Sequence, residues 1–355
     1  MKLLDLFFDA YDKIHQSIRP SSSHQAPHGL LTRILPVSIF SIFLLLLMLT
    51  FLWGSEPDRI DPIHAAAQLA AERNEQLTTG YITTAALITV SETLLNKSGG
   101  YLSNDVLPPS LFMDNIPNWE FGVLTQIRDL SLALRNDMTR SQSQSVEDKD
   151  IMAVENQFRI DSTSWALPPA ESEYRQAING LSAYLTRLSD NDTQDAQFYA
   201  RADNLNDWLS LITKRLGSLS QRLSASVGQA RINTDLAGDA EAQQSTPTSK
   251  IIEVQTPWFE IDDVFYEARG SAWALSILLR AVETDFQEIL QKKNAQVSVQ
   301  QIIRELEATQ DTVWSPIILN GGGFGIFANH SLVMANYISR ANAAVIDLQQ
   351  LLKQG

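Results

Sequence analysis

FYARADNLNDWLSLITKRLGSLSQRL, residues 198–223, places apolar side chains at Phe198, Ala202, Leu205, Leu209, Ile212, Leu216, Leu219 and Leu223, in alternating steps of four and three. That spacing keeps one face of a helix apolar for more than three heptads, as a bundle or coiled-coil seam requires. IDDVFYEARGSAWALSILLRAVETDFQEI, residues 261–289, repeats the pattern through Phe265, Ala268, Ala272, Leu275, Leu279, Val282, Phe286 and Ile289. Tyr174, Ala177, Ile178, Leu181, Leu185 and Leu188 mark a further amphipathic helix, and Asp61-Pro62 opens an Ala-rich one running toward Gly80. The chain therefore reads as all-α. The two long seams are expected to pack on each other within one chain, with a homo-oligomer through the same faces as the alternative. Both begin alike, FYARADNL and FYEARGSAWAL, which hints at a weak internal duplication or at chance likeness of two amphipathic helices.

Before this body stands ILPVSIFSIFLLLLMLTFLW, Ile34–Trp53, twenty uncharged and mostly apolar residues. At 1.5 Å rise per residue such a helix reaches roughly 30 Å, the thickness of a bilayer's hydrocarbon, with Trp53 at headgroup level. It is longer than a signal-peptide core, and GSEP after Trp53 offers no A-x-A-like cleavage pattern, so a retained single transmembrane helix is expected. Lys2, Lys13, Arg19 and Arg33 precede the span, whereas the next 33 residues hold only Arg59 and Arg73. The positive-inside rule then puts the N-terminus in the cytoplasm and the bulk of the chain outside it, in the periplasm of a Gram-negative host. Three segments follow: 1–33, an amphipathic helix (Leu4, Phe7, Phe8, Tyr11, Ile14, Ile18) and linker; 34–53, the span; and 54–355, the exported helical domain. A polar flexible loop at 233–255 marks a division of that domain into two lobes, 54–232 and 256–355.

Four basic and three acidic residues lie before residue 54, so the remainder carries 23 basic and 38 acidic residues, a net charge of −15. Such a surface repels nucleic acid, and no nucleic-acid partner is expected. The absence of cysteine fits an oxidising compartment without proving it. Only His64 and His330 follow the span, with no HExxH and no GxSxG, so zinc and ordinary serine hydrolases lack their signatures; no cofactor and no metal are expected. Asp262, Asp263 and Glu267 at the opening of the second seam, with or without His330, are the weak catalytic candidates, since glycoside cleavage needs an acid pair. Helix N-termini favour acids through the macrodipole in any case, and a histidine at a helix start is more often a hydrogen-bonding group. Arg201 and Arg269, on apolar faces, are expected to pair with acids inside the bundle.

Three loops stand out: NKSGGYLSNDVLPPSLFMDNIPNWEFG (96–122), DSTSWALPPAESEY (161–174), and WSPIILNGGGFGIFANHSL (314–332). The second is expected to end in a helix cap near Ala170 or Glu171. The glycine run lacks the lysine of a Walker loop, so nucleotide binding is not expected. Long loops rich in aromatics and amides suit contact with partners. The binding candidates are Gly99, Gly100, Tyr101, Asn104, Asp105 and Trp119 in the first loop, and Gly321, Gly322, Gly323 and Asn329 in the third.

NKSGGYLSNDVLPP, MDNIPNWEFGVL, LRNDMTRSQSQSVEDKD, FYARADNL, RLGSLSQRLSASVG, IDDVFYEARGSAWAL and ANHSLVMANYISRANAAVIDL together resemble, in order and over nearly the whole chain, an uncharacterised family of single-pass inner-membrane proteins of Gram-negative bacteria. The resemblance implies an inner-membrane protein with a helical exported domain and transfers no activity. The expected function is a membrane-anchored periplasmic binding or scaffold protein of the cell envelope, with the inner membrane and an envelope protein or glycan as partners. The alternative is a carboxylate-dependent peptidoglycan or glycan hydrolase or lyase; a sensor ranks last, because 33 N-terminal residues are too few for a catalytic output domain.

Overall fold

The computed structural model describes residues 30–141, 146–190, 192, 195–232, 251–315, 317–322 and 325–354. The amphipathic helix and linker expected before the span lie outside these residues. Helix α1, Leu30–Trp53, contains the apolar run, and Ile34–Trp53 is long and apolar enough to cross a membrane, with none of it buried by protein. Leu49–Gly355 forms a compact helical unit.

Helix α2, Pro62–Arg73, starts where the Asp61-Pro62 pair predicts. The Asp61 carboxylate accepts the Ile63 and His64 N–H groups at 3.0 and 3.4 Å. It stops before Gly80, at Asn74, whose left-handed backbone (φ 55°) closes the last turn. Gly80 instead precedes α3, Tyr81–Asn96, at φ 88°; a Cβ there would stand 2.2 Å from the Phe198 ring. The chain continues through α4 (Asn115–Ala133, with a π turn at Leu134–Met138), α5 (Lys149–Phe158), α6 (Ala170–Ser189) and α7 (Ala202–Ser224). Next come α8 (Ile261–Asp285), the short α9 (Gln287–Lys292), α10 (Gln296–Ala308) and α11 (His330–Lys353).

The seams are shorter than their sequence stripes. Phe198 lies in non-helical chain before α7 and fills the space over Gly80, 5.7 Å from the Phe286 ring. Because only the second half of FYARADNL is helical while FYEARGSAWAL is helical throughout, the two phrases are not structural equivalents. Phe286 itself interrupts the second stripe between α8 and α9. The seams also choose different partners from the expected ones: α8 packs most extensively on α4, and α7 on α11, while α7 and α8 meet over a smaller contact. A glycine on each side makes the α4–α8 contact. A Cβ on Gly122 would lie 2.1 Å from the Glu267 carbonyl oxygen, and one on Gly270 would lie 2.0 Å from that of Trp119. Trp119 and Trp273 then pack with ring centroids 5.1 Å apart.

β1 (Gln229–Ile232), just before the polar loop, and β2 (Ile251–Val254), at its end, form an antiparallel ribbon that the sequence pattern did not announce. Helices from both sides of this ribbon contribute to one continuous hydrophobic cluster, so the expected pair of lobes shares a single core.

Candidate functional site

The functional candidate is the end of the unit at which α1 leaves it. Residues 54–60 run along α8. Glu56 pairs with Arg269 at 2.6 Å, and Trp273 Nε1 donates to the Asp58 carbonyl at 3.2 Å. The Arg269 side chain is buried, and its Nη1 donates to the Thr309 and Asp311 carbonyls at 2.8 and 2.9 Å. A buried guanidinium needs such complete pairing to offset its desolvation. Arg269 thus meets the sequence expectation of an acid partner, although the acid comes from 213 residues away. Arg201 bridges Asp203 at 2.6 Å at an exposed site rather than in the interior.

Beyond Arg269 lies a groove of about 310 Å³ lined by Phe265, Trp314, His330, Val333, Met334 and Tyr337. Its walls are mainly apolar, with Trp314 at 92% exposure projecting from the rim. The N-terminal turn of α11 positions His330. The Asn329 side chain caps that turn by accepting the Leu332 N–H at 2.8 Å, and its amide donates to Asn320 Oδ1 and the Gly321 carbonyl. This clasp, with the Asn320–Asn329 bridge, closes the glycine loop at its base. His330 Nδ1 accepts the Leu319 N–H at 3.1 Å, which leaves Nε2 to carry the proton of the neutral ring. Burial holds its pKa below the ordinary value.

The structure does not bring the candidate acids to His330. The ring neighbour of His330 is Phe265, at 6.4 Å between centroids. Glu267 faces the other way and is held by both terminal nitrogens of Arg222. Asp263 accepts from Asn118 Nδ2 at 2.7 Å. Desolvation, and then the charges of Asp114, Asp262, Glu260 and Glu267, push Asp263 up to about 6; desolvation also raises Asp262. Among the described residues no three of His, Asp and Glu are grouped to hold a metal, and no hydrogen bond or ion pair joins His330 to a carboxylate.

Several binding candidates of the first loop prove to be interior. Tyr101 is buried, its hydroxyl donating to the Ser162 carbonyl at 3.0 Å and its ring meeting Tyr174 edge-on. Asn104 is buried and donates to the Ser164 carbonyl at 2.8 Å and to Glu171 at 2.6 Å. Trp119 belongs to α4, not to a loop, and is fully buried. These side chains tie the loop to residues 162–171 and to the core, which corrects the expectation that they form a contact surface. Gly99 and Gly100 take positive φ, and a Cβ on Gly99 would stand 2.7 Å from the Trp53 indole. Asp105 is exposed, Gly321 sits in the Asn329 clasp, Gly322 faces open space, and Gly323 lies outside the described residues.

Beneath this loop is a buried ion pair, Lys97 Nζ to Glu120 Oε1 at 2.5 Å. Glu120 also accepts the N–H groups of Leu102 and Ser103. Burial pushes its carboxyl up, against the opposing pull of the Lys97 ammonium.

Fold and site define a compact α-helical unit following an apolar helix. The family described as "Uncharacterized protein conserved in bacteria (DUF2333)" matches residues 27–355, and the chain belongs to it. Comparison with curated proteins and with solved structures finds no match.

Proposed function

We propose that the chain is a single-pass inner-membrane protein of a Gram-negative bacterium, with its N-terminus in the cytoplasm and its helical unit in the periplasm, where it holds a protein partner of the cell envelope. The observation that carries this reading is the groove behind Arg269. Its volume of about 310 Å³ lies at the small end of ligand sites and suits one or two large apolar side chains. Its rim presents Trp314, a residue type that dominates contact hot spots. Its polar groups, among them the His330 ring and the Tyr337 hydroxyl, supply hydrogen bonds, and the one acid in its lining, Asp311, makes no hydrogen bond or ion pair with His330. The basic bias before Ile34 and the unburied apolar span support the anchored topology.

The test is photo-crosslinking in cells from an aryl-azide or benzophenone residue at Trp314, with the same probe at exposed Val297 as control. A discrete adduct with an envelope protein at 314, lost when the exposed Val333 of the groove is replaced by Asp, is the expected result. Labelling of glycan strands instead, or equal adducts at both positions, refutes the protein-holding role. Alkaline phosphatase fused after Gln354 should be active; an inactive fusion refutes the topology.

A further inference from the structure

We infer that the loop Val106–Phe112 is a second membrane contact, an apolar wedge that lies in the headgroup and upper acyl region of the bilayer beside the outer end of α1. This rests on the proposed spanning role of α1 and deepens it. Leu107, Leu111 and Phe112 are 72, 57 and 79% exposed, and Val106 is exposed as well. Four neighbouring apolar side chains in water require a cover.

The loop is an ordered one. The Ser110 hydroxyl donates to the Leu107 carbonyl at 2.8 Å, the Phe112 N–H to Pro109 at 2.9 Å, and the Met113 N–H to Ser110 at 2.9 Å. Pro109 and Ser110 are buried beneath it. The backbone is therefore fixed with its apolar side chains outward, which collapse of a flexible segment would not produce.

What covers the patch is indicated by its position. Ser98 Oγ donates to the Leu52 carbonyl at 3.0 Å, and Gly99 lies so close to Trp53 that a Cβ there would stand 2.7 Å from the indole. Met113, directly after the wedge, reaches to 4.0 Å from where a Cβ on Gly54 would stand. The wedge thus leaves the unit at the level of residues 52–54, where the apolar run of α1 ends and where a tryptophan marks the interface of a spanning helix. The neighbouring starts of α4 and α8, joined by the Asn118–Asp263 bond, carry exposed Trp258 and Phe259 just ahead of α8. Aromatic side chains of this kind favour the interfacial layer. Asp105, Asp114, Glu260, Asp262 and Asp263 surround these residues, so attraction to anionic headgroups does not hold the wedge; buried apolar area does. The lipid it fits is zwitterionic.

Because the chain has no cysteine, single-cysteine variants of the full-length protein give a direct test in phosphatidylcholine vesicles containing nitroxide-labelled lipid. Phe112→Cys, Phe51→Cys and Val146→Cys each receive a fluorophore. Phe51 lies on α1, and Val146 is exposed and adjoins Glu147, which pairs with Arg135 beyond the opposite end of α4. Expected is quenching at 112 close to that at 51 and several-fold stronger than at 146, unchanged by high salt and reduced as anionic lipid is added. Quenching at 51 but not at 112 overturns the wedge and leaves the span intact. Absence of quenching at 51 overturns the span itself, and the wedge with it. A position 112 shielded from lipid and from an aqueous quencher alike assigns the patch to a protein contact and also overturns the inference.

Discussion

Replacing Gly122 by Ala tests whether the α4–α8 contact organises the unit. The new Cβ would fall 2.1 Å from the Glu267 carbonyl oxygen and 2.7 Å from the Ser271 nitrogen, both backbone atoms, whereas real Cβ atoms essentially never come closer than 3.0 Å. The helices must therefore part by about 1 Å, a gap that forfeits a quarter to a half of each dispersion contact along the seam. The Ser271 hydroxyl bond to the Gly122 carbonyl, 3.1 Å, and the Trp119–Trp273 packing lengthen with it. Overpacking of this kind costs about 1–3 kcal/mol and occasionally more, against which the higher helix propensity of Ala returns up to about 1 kcal/mol. A net loss of about 2 kcal/mol is expected, which lowers Tm by roughly 3 °C in a unit of this size. Gly270→Ala, with its Cβ 2.0 Å from the Trp119 carbonyl oxygen, should behave alike. Gly217→Ala is the control. Its Cβ meets only the Asn342 amide at 3.7 Å, so it should gain up to about 1 kcal/mol. Calorimetric melting of the detergent-solubilised protein decides the matter. A Gly122→Ala variant that melts at or above the parent, or a Gly217→Ala variant that falls with it, refutes the close-contact argument.

Three further outcomes follow from buried charge. Lys97→Met strands the Glu120 carboxylate in the interior and should cost about 3–5 kcal/mol by urea denaturation, while adding Glu120→Gln should recover most of that loss; no recovery would mean that Lys97 acts through packing alone. Glu56→Gln removes the charge facing Arg269 but leaves its two carbonyl partners, so a loss of about 1–3 kcal/mol is expected, with faster amide exchange confined to residues 54–60 and 309–313. Unchanged exchange there would dismiss the tether. Asp263, raised to about 6 from an ordinary 3.8, is costly to ionise in the folded state. Its stabilising share is complete below 3.8 and disappears as pH rises through about 6, so Tm should climb as pH falls from about 7 to about 5. Asp263→Asn, which can still accept from Asn118, should flatten that climb and raise Tm near neutrality; an unaltered slope would place the pH dependence elsewhere, with Asp137, also raised to about 6, the next to replace.

Where one side chain enforces a boundary, the sequence announces it. Asp61-Pro62 starts α2 because Asp61 caps and Pro62 lacks the N–H that would go unpaired; α6 begins near the expected place, at Ala170, but its N-cap is Pro169 and no side chain caps it. Apolar periodicity is weaker evidence, since it records burial rather than helicity. Phe198 fits the α7 stripe yet packs against the core from non-helical chain, and Phe286 fits the α8 stripe yet occupies its break, with neither Gly nor Pro to mark it. Trp119 and Gly122 fall in the Gly- and Pro-punctuated stretch 96–122 that reads as a loop, but Pro117 occupies the first turn of α4, where its missing N–H costs nothing. The pairing of α4 with α8 did leave a signal, a glycine inside each of two strong helices. Recognising that those two glycines face each other takes the third dimension.

The same limit hid the site. Arg269 suggested a buried acid partner, but nothing local singles out Glu56, and the loop aromatics read as contacts turned out to be the loop's attachments. The resulting arrangement has a consequence for function. One guanidinium holds Glu56, on the segment leaving α1, and the Thr309 and Asp311 carbonyls, on the backbone that forms a wall of the groove. A pull on residues 54–60 is therefore resisted by the same three acceptors that fix that wall, and loosening either side leaves a buried cation short of partners. Occupancy of the groove and docking of the membrane-proximal segment are thus expected to reinforce each other through Arg269. In Glu56→Gln, crosslinking from Trp314 should weaken although no groove residue has changed. Undiminished crosslinking would show that the wall stands without the tether, and the coupling between groove and anchor segment would fall.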